Sequence, residues 1–189
     1  MHDPTLPYPE PEDPPFTGEG GGSPVVTDEI FGVIEVLLDT EGGTVNVRGP
    51  GLPDALLTRA AQARPNRYAP IGTRDGSHLS LTIDSRSAAV APARAWLPRR
   101  SYRVDTRAGS TRYRLTPCSP AASKLLKGKK RIGEFSSRGD GSVTATWRQN
   151  VHPTPQDAAM GYLLAAAFGT GSRPLGDLLL DALDALLPS

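Results

Sequence analysis

Arginine and lysine side chains supply the most concentrated chemistry in this 189-residue sequence. Residues 1–41 contain ten acidic residues and no Lys or Arg, whereas residues 42–150 contain twenty basic residues and six acidic ones. Blocks of like charge raise the local electrostatic potential and attract a partner of opposite sign. The charge layout therefore predicts that the central part of the chain binds a polyanion. The alternative is that arginines on exposed strands only keep the protein in solution.

The candidate anion-binding residues come from two predicted hairpins. In residues 101–115, Arg alternates with apolar residues, and because strand side chains have a period of two, one face should carry the arginines. All four lysines lie within seven positions, near the turn of a second predicted hairpin over residues 124–135. Arg binds phosphate through two parallel hydrogen bonds, and Lys adds a compact positive charge. The predicted anion-binding residues are Arg103, Arg112, Arg114, Lys124, Lys127, Lys129, Lys130 and Arg131.

The phosphate groups that these residues could bind occur in phospholipids and in nucleic acids. Binding of single-stranded nucleic acid also requires exposed aromatic side chains, and the hairpin pattern places Tyr102 and Tyr113 on the face opposite the arginines. We therefore favour an anionic phospholipid surface over nucleic acid as the partner. The acidic residues 1–41 are a second candidate, as an intramolecular competitor for the basic residues.

Residues that commonly catalyse reactions are sparse and widely spaced. The three histidines, His2, His78 and His152, show no HxH or HxxxH spacing for a metal site. Cys118 could act as a nucleophile if His152 approached it, but the flanking Thr-Pro-Cys-Ser-Pro matches no catalytic signature that we know. No GxSxG elbow or phosphate-binding loop is present. We expect a protein that is not an enzyme, with no catalytic residue, no metal and no cofactor.

Composition divides the chain into three parts. Residues 1–26, rich in Pro, Gly and acids, are predicted to be a disordered acidic tail. Residues 27–171 are predicted to be a mainly β globular domain, in which antiparallel strands form a meander or a closed barrel. Within it, residues 52–64 are predicted to be a helix, because Pro53 suits a first turn and Leu56 and Leu57 begin an apolar face.

Two further helices are predicted near the C-terminal end of the sequence. Residues 156–168 are apolar on all sides, and this helix is too short to cross a membrane, so we expect it to be buried by the sheet. Residues 172–189 are predicted to contain an amphipathic helix over 175–187, with aspartates on its polar side. Such a helix could bind a protein partner or a second copy of the chain. A protein-interaction subunit is therefore the second hypothesis for the function.

One family shares this plan of basic hairpins followed by an apolar helix. The relevant residues are Tyr113-Arg-Leu, the Gly128 turn leading to Ile132-Gly-Glu, Trp147, and Asp157-Ala-Ala-Met-Gly-Tyr-Leu-Leu-Ala. Over about residues 76–170 the chain resembles the Tubby C-terminal-like superfamily, which includes phospholipid scramblases and LURP-one-related proteins. The resemblance implies a closed antiparallel barrel around a hydrophobic helix, and a protein that binds membranes or phosphoinositides. Scrambling activity is not implied, because the sequence has no acidic cluster like the proposed calcium site of scramblases.

The remaining features of the sequence concern the cellular compartment of the protein. Cys118 is the only cysteine, no stretch reaches 18 apolar residues, and the first residues do not resemble a signal peptide. We therefore expect a cytoplasmic protein, peripheral at the membrane if phospholipid is its partner. The excess of Arg over Lys, with abundant Ala, Pro and Gly, is typical of a GC-rich bacterial genome.

Overall fold

The computed structural model describes residues 25–63, 66, 69–93, 102–119 and 121–170. In this part of the chain, eleven strands form one antiparallel meander in which each strand pairs with the next. They curl into a nearly closed barrel around a single helix. The elements are β1 (Val25–Asp28), β2 (Gly32–Asp39), β3 (Thr44–Arg48), β4 (Ala55–Arg59), β5 (Leu79–Ile83), β6 (Arg86–Pro92), β7 (Val104–Ala108), β8 (Thr111–Pro117), β9 (Ala122–Lys127), β10 (Lys130–Ser137), β11 (Val143–Trp147) and α1 (Pro155–Phe168).

Strand β4 corrects the helix that we predicted over residues 52–64. Ala55 and Leu57 are fully buried, whereas Leu56 between them is only partly buried, which is the period of a strand. The strand pairs with β3 on one side and β5 on the other, so its backbone groups are bonded on both edges. This pairing overrides the local helical preference of Ala and Leu. A short apolar run of this kind fits a buried strand as well as a buried helix.

Helix α1 confirms the buried helix predicted over residues 156–168. Thr154 caps its first turn and Asp157 bonds back to the Thr154 backbone, which forms a capping box, while Pro155 occupies the first turn. Every residue from Asp157 to Phe168 is buried. Because the barrel surrounds the helix on nearly all sides, no polar stripe is needed, and the sequence has none.

A glycine lets the helix approach the barrel wall closely. A Cβ atom on Gly161 would lie 2.2 Å from Cζ of Phe135 in β10. The Phe135 ring cannot easily move aside, because it packs edge-on against Trp147 at 5.5 Å and Tyr162 at 5.4 Å. A glycine at position 161 is therefore required by the close contact between helix and sheet.

The alternation of the strands assigns each connection to one of two barrel ends. We call the end at which α1 begins the proximal end and the end at which it finishes the distal end. The connections after odd-numbered strands lie at the proximal end, and they include the turns at residues 29–31, 109–110 and 128–129 and the loop 148–154. The connections after even-numbered strands lie at the distal end, together with Thr170.

The first and last strands meet at a gap that we call the seam. In an antiparallel meander of eleven strands, β1 and β11 run in the same direction, and no backbone ladder joins them in the described part of the chain. At the proximal end a buried carboxylate closes the seam. Asp28 of β1, 5% exposed, accepts hydrogen bonds from Trp147 Nε1 of β11 at 3.0 Å and from the Tyr162 hydroxyl of α1 at 2.7 Å. Two backbone amides, of Ile30 and Phe31, also donate to Asp28.

The domain boundaries differ at the front of the barrel from those we predicted. Val25 and Val26, assigned to the tail, belong to β1 and pair with Glu35 and Ile34 of β2. The barrel therefore includes at least Val25 onward, and residues 1–24 lie outside the described residues. The helix predicted over residues 175–187 also lies outside them. In the described ranges, no helix has both the length and the apolar character needed to cross a membrane.

Candidate basic surface at the proximal end

Strands β7 and β8 carry the arginine face on the outside of the barrel. Val104, Tyr113 and Leu115 are buried against the core, whereas Arg112 and Arg114, which alternate with Tyr113 and Leu115, are exposed. The register places Asp105 opposite Arg114 and Arg107 opposite Arg112. Tyr113 faces inward as the sequence pattern predicted.

The Asp105 carboxylate is shared by two of the predicted anion-binding residues. Its carboxylate accepts from Arg103 Nε at 3.2 Å and from Arg114 Nε at 2.5 Å. A shared carboxylate leaves these two guanidinium groups with one compensating negative charge between them. Arg103 and Arg114 are therefore weaker candidates for binding an external anion than their exposure suggests.

A β-bulge accounts for the pairing of a third residue. The register between β9 and β10 shifts between Arg131 and Gly133, so Ile132 is the extra residue. In a regular strand, residues three apart face opposite sides, but the bulge brings Arg131 and Glu134 to the same side. Their side chains form an ion pair. Lys124 of β9 lies opposite Glu134 in the register and is partly buried.

Lys127 does not belong to the basic surface in the way we expected. Its partner in the register is Tyr113, and both side chains converge on Asp157 in the first turn of α1. Lys127 Nζ lies 2.8 Å from Asp157 Oδ1, and the Tyr113 hydroxyl donates to the same carboxylate at 2.7 Å. Lys127 therefore fixes the start of the helix, although 37% of its side chain stays exposed.

The environment of this cluster changes two pKa values. Burial would raise the pKa of the Asp157 carboxyl, but hydrogen bonds from Lys127, the Thr154 backbone and Tyr113 outweigh burial and hold this pKa below its ordinary value. Burial, followed by the bond to Asp157, raises the pKa of Tyr113. Asp157 is thus ionised and Tyr113 neutral at pH 7, and the cluster is a charged anchor for the helix.

Four exposed basic residues at or beside the β7–β8 and β9–β10 turns have no such partner, and we call them the tip cluster. They are Arg107, Arg112, Lys129 and Lys130. None of the four forms an ion pair with another residue of the described ranges. Arg107 was not among our predicted anion-binding residues, although its alternation with Asp105 and Arg103 placed it on the same face. The strand register identifies Arg107 as a further candidate, because it lies directly opposite Arg112.

Two tight turns hold the tip cluster together. Gly109 and Gly128 occupy the first position of two-residue turns with φ of 58° and 60°, a conformation that glycine adopts without strain. The Gly128 amide donates to the Arg112 carbonyl at 2.8 Å, so the β9–β10 turn lies directly beside the start of β8. Arg107 and Arg112 are direct cross-strand neighbours of like charge, an arrangement that destabilises a sheet unless an anion compensates it.

Arg74 is a basic residue that the charge count does not distinguish from surface arginines. It is 7% exposed, and its guanidinium donates to the carbonyls of Ala93, Tyr102 and Arg103 at the distal end. Burial lowers its pKa to about 10, and it packs over the ring of Phe168. Arg74 remains charged at pH 7 and joins Ala93 to the chain at Tyr102 and Arg103. No spacing in the sequence marks this role.

The only cysteine lies away from the tip cluster and lacks the features of a nucleophile. Cys118 follows β8 at the distal end and its Sγ contacts the Ala122 carbonyl at 3.5 Å. Burial and then Glu134 raise the pKa of its thiol, which keeps it protonated at pH 7. His78 and His152 flank other elements of the barrel, and neither is among the hydrogen-bond partners found for Cys118.

Comparison of the chain with protein-family models, with curated proteins and with solved structures gave no match.

Proposed function

We propose that this chain is a non-enzymatic binding module that holds an anionic, phosphate-bearing surface against the tip cluster. Phospholipid headgroups are the favoured partner. The observation that carries the proposal is the convergence of Arg107, Arg112, Lys129 and Lys130 at one barrel end without an acidic partner in the described ranges. Two guanidinium groups side by side suit phosphate oxygens, which accept hydrogen bonds from both.

A membrane surface suits the tip cluster better than nucleic acid does. Ile30, 52% exposed, lies in the β1–β2 turn at the same proximal end, where an apolar side chain could enter the headgroup region. The large exposed hydrophobic residues of the described ranges are Val25, Ile30 and Val33, and none of these is an aromatic on which a base could stack. A Tubby-like relationship, which the sequence suggested, agrees with this preference and stays a hypothesis.

The acidic competitor that we expected is smaller than residues 1–41. Residues 25–28 and 32–39 are strands of the barrel, and Asp28 is buried in the seam. Asp39 accepts from the Gly42 amide within the β2–β3 turn. Competition for the tip cluster is therefore proposed only for residues 1–24, which precede the barrel.

The test compares two triple variants of the full chain that remove the same positive charge. The tip variant carries Arg107→Gln, Arg112→Gln and Lys129→Gln. The paired variant carries Arg103→Gln, Arg114→Gln and Arg131→Gln, whose side chains have Asp105 or Glu134 as partners. Binding is measured by co-sedimentation with vesicles of phosphatidylcholine alone and of phosphatidylcholine with phosphatidylserine.

We expect the wild type to bind only the vesicles that contain phosphatidylserine. Each basic residue near an anionic membrane contributes about 1 kcal/mol, so the tip variant should bind about 100-fold more weakly. The paired variant should lose less than about tenfold, since its three charges already share the carboxylates of Asp105 and Glu134. Equal losses in both variants would mean that only the overall charge matters, and unchanged binding of the tip variant would contradict the proposed site. Tighter binding to single-stranded nucleic acid than to vesicles would identify nucleic acid as the partner of the tip cluster.

A further inference from the structure

The open part of the seam is a second surface that lacks a partner within the barrel. Near the proximal end, Asp28, Trp147 and the edge-on contact of Phe31 with Trp147 at 5.8 Å hold β1 and β11 together. Toward the distal end the seam widens into a cavity of about 310 Å³. Valines from both sides form its apolar wall, and the β10–β11 connection forms its polar rim. The apolar wall comprises Val25, Val26, Val36 and Val143.

An open seam is unfavourable for two physical reasons. Val25 is 62% exposed at the mouth of the cavity, so apolar surface faces water there. β1 and β11 also present strand edges without a ladder between them, and proteins commonly cover such edges with a helix or a loop. A segment that covers the seam would relieve both costs.

The described part of the chain ends beside this cavity. Thr170, the last described residue, accepts a hydrogen bond from the Ser137 amide at 2.6 Å and contacts the Ala121 carbonyl at 3.0 Å. Ser137 itself lines the cavity. Five residues of extended chain reach at most about 17 Å, so residue 175 can arrive at the mouth of the cavity without rearrangement of the barrel.

The residues that follow have the composition needed to cover an apolar crevice. If residues 175–187 form a helix, positions 175, 178, 179, 182, 183 and 186 share one apolar face, and Asp177, Asp181 and Asp184 lie on the other. The other segment that adjoins the seam, residues 1–24, is made mostly of Pro, Gly and acids and cannot supply such a face. We propose that the leucine face of residues 175–187 docks across the seam of its own barrel and closes it between β1 and β11.

Two adjacent leucines provide a matched pair of variants in the full chain. On a helix, Leu179 falls on the apolar face, whereas Leu180 falls near Asp177 and Asp184. Leu179→Asp and Leu180→Asp therefore introduce the same charge at neighbouring positions, the first within the apolar face and the second outside it. The readout is amide hydrogen exchange of β1 and β11, with Leu125 of the buried β9 as an internal reference for the intact barrel.

We expect Leu179→Asp to speed exchange at Val25, Val26 and Val143 by about tenfold or more, because it removes a buried leucine from the cover. Leu180→Asp should leave these rates unchanged, and both proteins should sediment as monomers. Equal exchange in the two variants and the wild type would overturn the proposal. Protection that depends on protein concentration and accompanies a dimer mass would also overturn it, because the cover would then come from a second copy.

Discussion

Replacing Asp157 by alanine is expected to lower the free energy of unfolding by about 2–4 kcal/mol. The capping box at the start of α1 would lose its acidic member, which costs about 1 kcal/mol. The buried Tyr113 hydroxyl would lose its acceptor, which costs about 1–3 kcal/mol more. We expect little further loss from Lys127, because its half-exposed ammonium group can turn to water. Urea unfolding followed by circular dichroism measures the change.

Asp157→Asn removes the charge but keeps one acceptor oxygen, which can still accept from the Tyr113 hydroxyl. Because the pKa of Asp157 is held below its ordinary value in the folded protein, its charge stabilises the fold above the ordinary aspartate pKa, near 3.9. That contribution disappears as the pH falls through the lower, folded-state pKa. Between pH 5 and the pH at which the protein unfolds in acid, the asparagine variant should therefore lose less stability than the wild type. Parallel pH profiles of the two proteins would contradict the assignment of Asp157 as the charged anchor.

Replacing Asp28 by alanine is expected to cost a similar amount, about 2–4 kcal/mol, for a different reason. No cation balances Asp28 among its described partners; its carboxylate is held by four uncharged donors. Removing the Asp28 carboxylate leaves the Tyr162 hydroxyl and the Trp147 indole N–H without an acceptor inside the barrel. Because both donors belong to elements other than β1, the loss also separates β1 from β11 and α1. Urea unfolding measures the loss in free energy of unfolding. Faster hydrogen exchange in β1 would show that this strand is the part that is destabilised.

Tyr162→Phe is the matched control for Asp28. It removes one of the four donors, keeps the aromatic ring edge-on to Phe135, and should cost only about 1 kcal/mol. Exchange in β1 should remain slow in this variant, because Trp147 still bonds to Asp28. If Asp28→Ala costs no more than Tyr162→Phe, Asp28 does not close the seam.

The mainly β architecture and the buried helix were predictable because both leave local patterns. The alternation of Tyr113 and Leu115 with arginines has the period of a strand, and the uniform apolar character of residues 158–168 requires an enclosure. β4 was not predictable in this way. The run Ala55-Leu-Leu fits either element, and only its pairing with β3 and β5 decides between them.

The composition of the basic surface was only partly predictable, because it depends on register. Alternation placed Arg103, Arg112 and Arg114 on one face, but it could not show that Asp105 would lie across from Arg114. The bulge at Ile132 is also invisible in the sequence, and it alone allows Arg131 to reach Glu134. Lys127 resembled the neighbouring lysines, yet it faces a carboxylate thirty residues away in the sequence.

The most direct test of the proposed site is a titration of the isotope-labelled full chain with soluble short-chain phosphatidylserine, followed by NMR of the backbone amides. The proposal predicts saturable shifts at the two turns of the tip cluster, Gly109–Ser110 and Gly128–Lys129, and much smaller shifts at Arg103 and Arg114. The shifts should fall as salt is raised, since exposed charges are screened beyond a Debye length of about 10 Å at 0.1 M. Saturable shifts that instead map to the seam, or to the residues paired with Asp105, would contradict the tip cluster as the binding site.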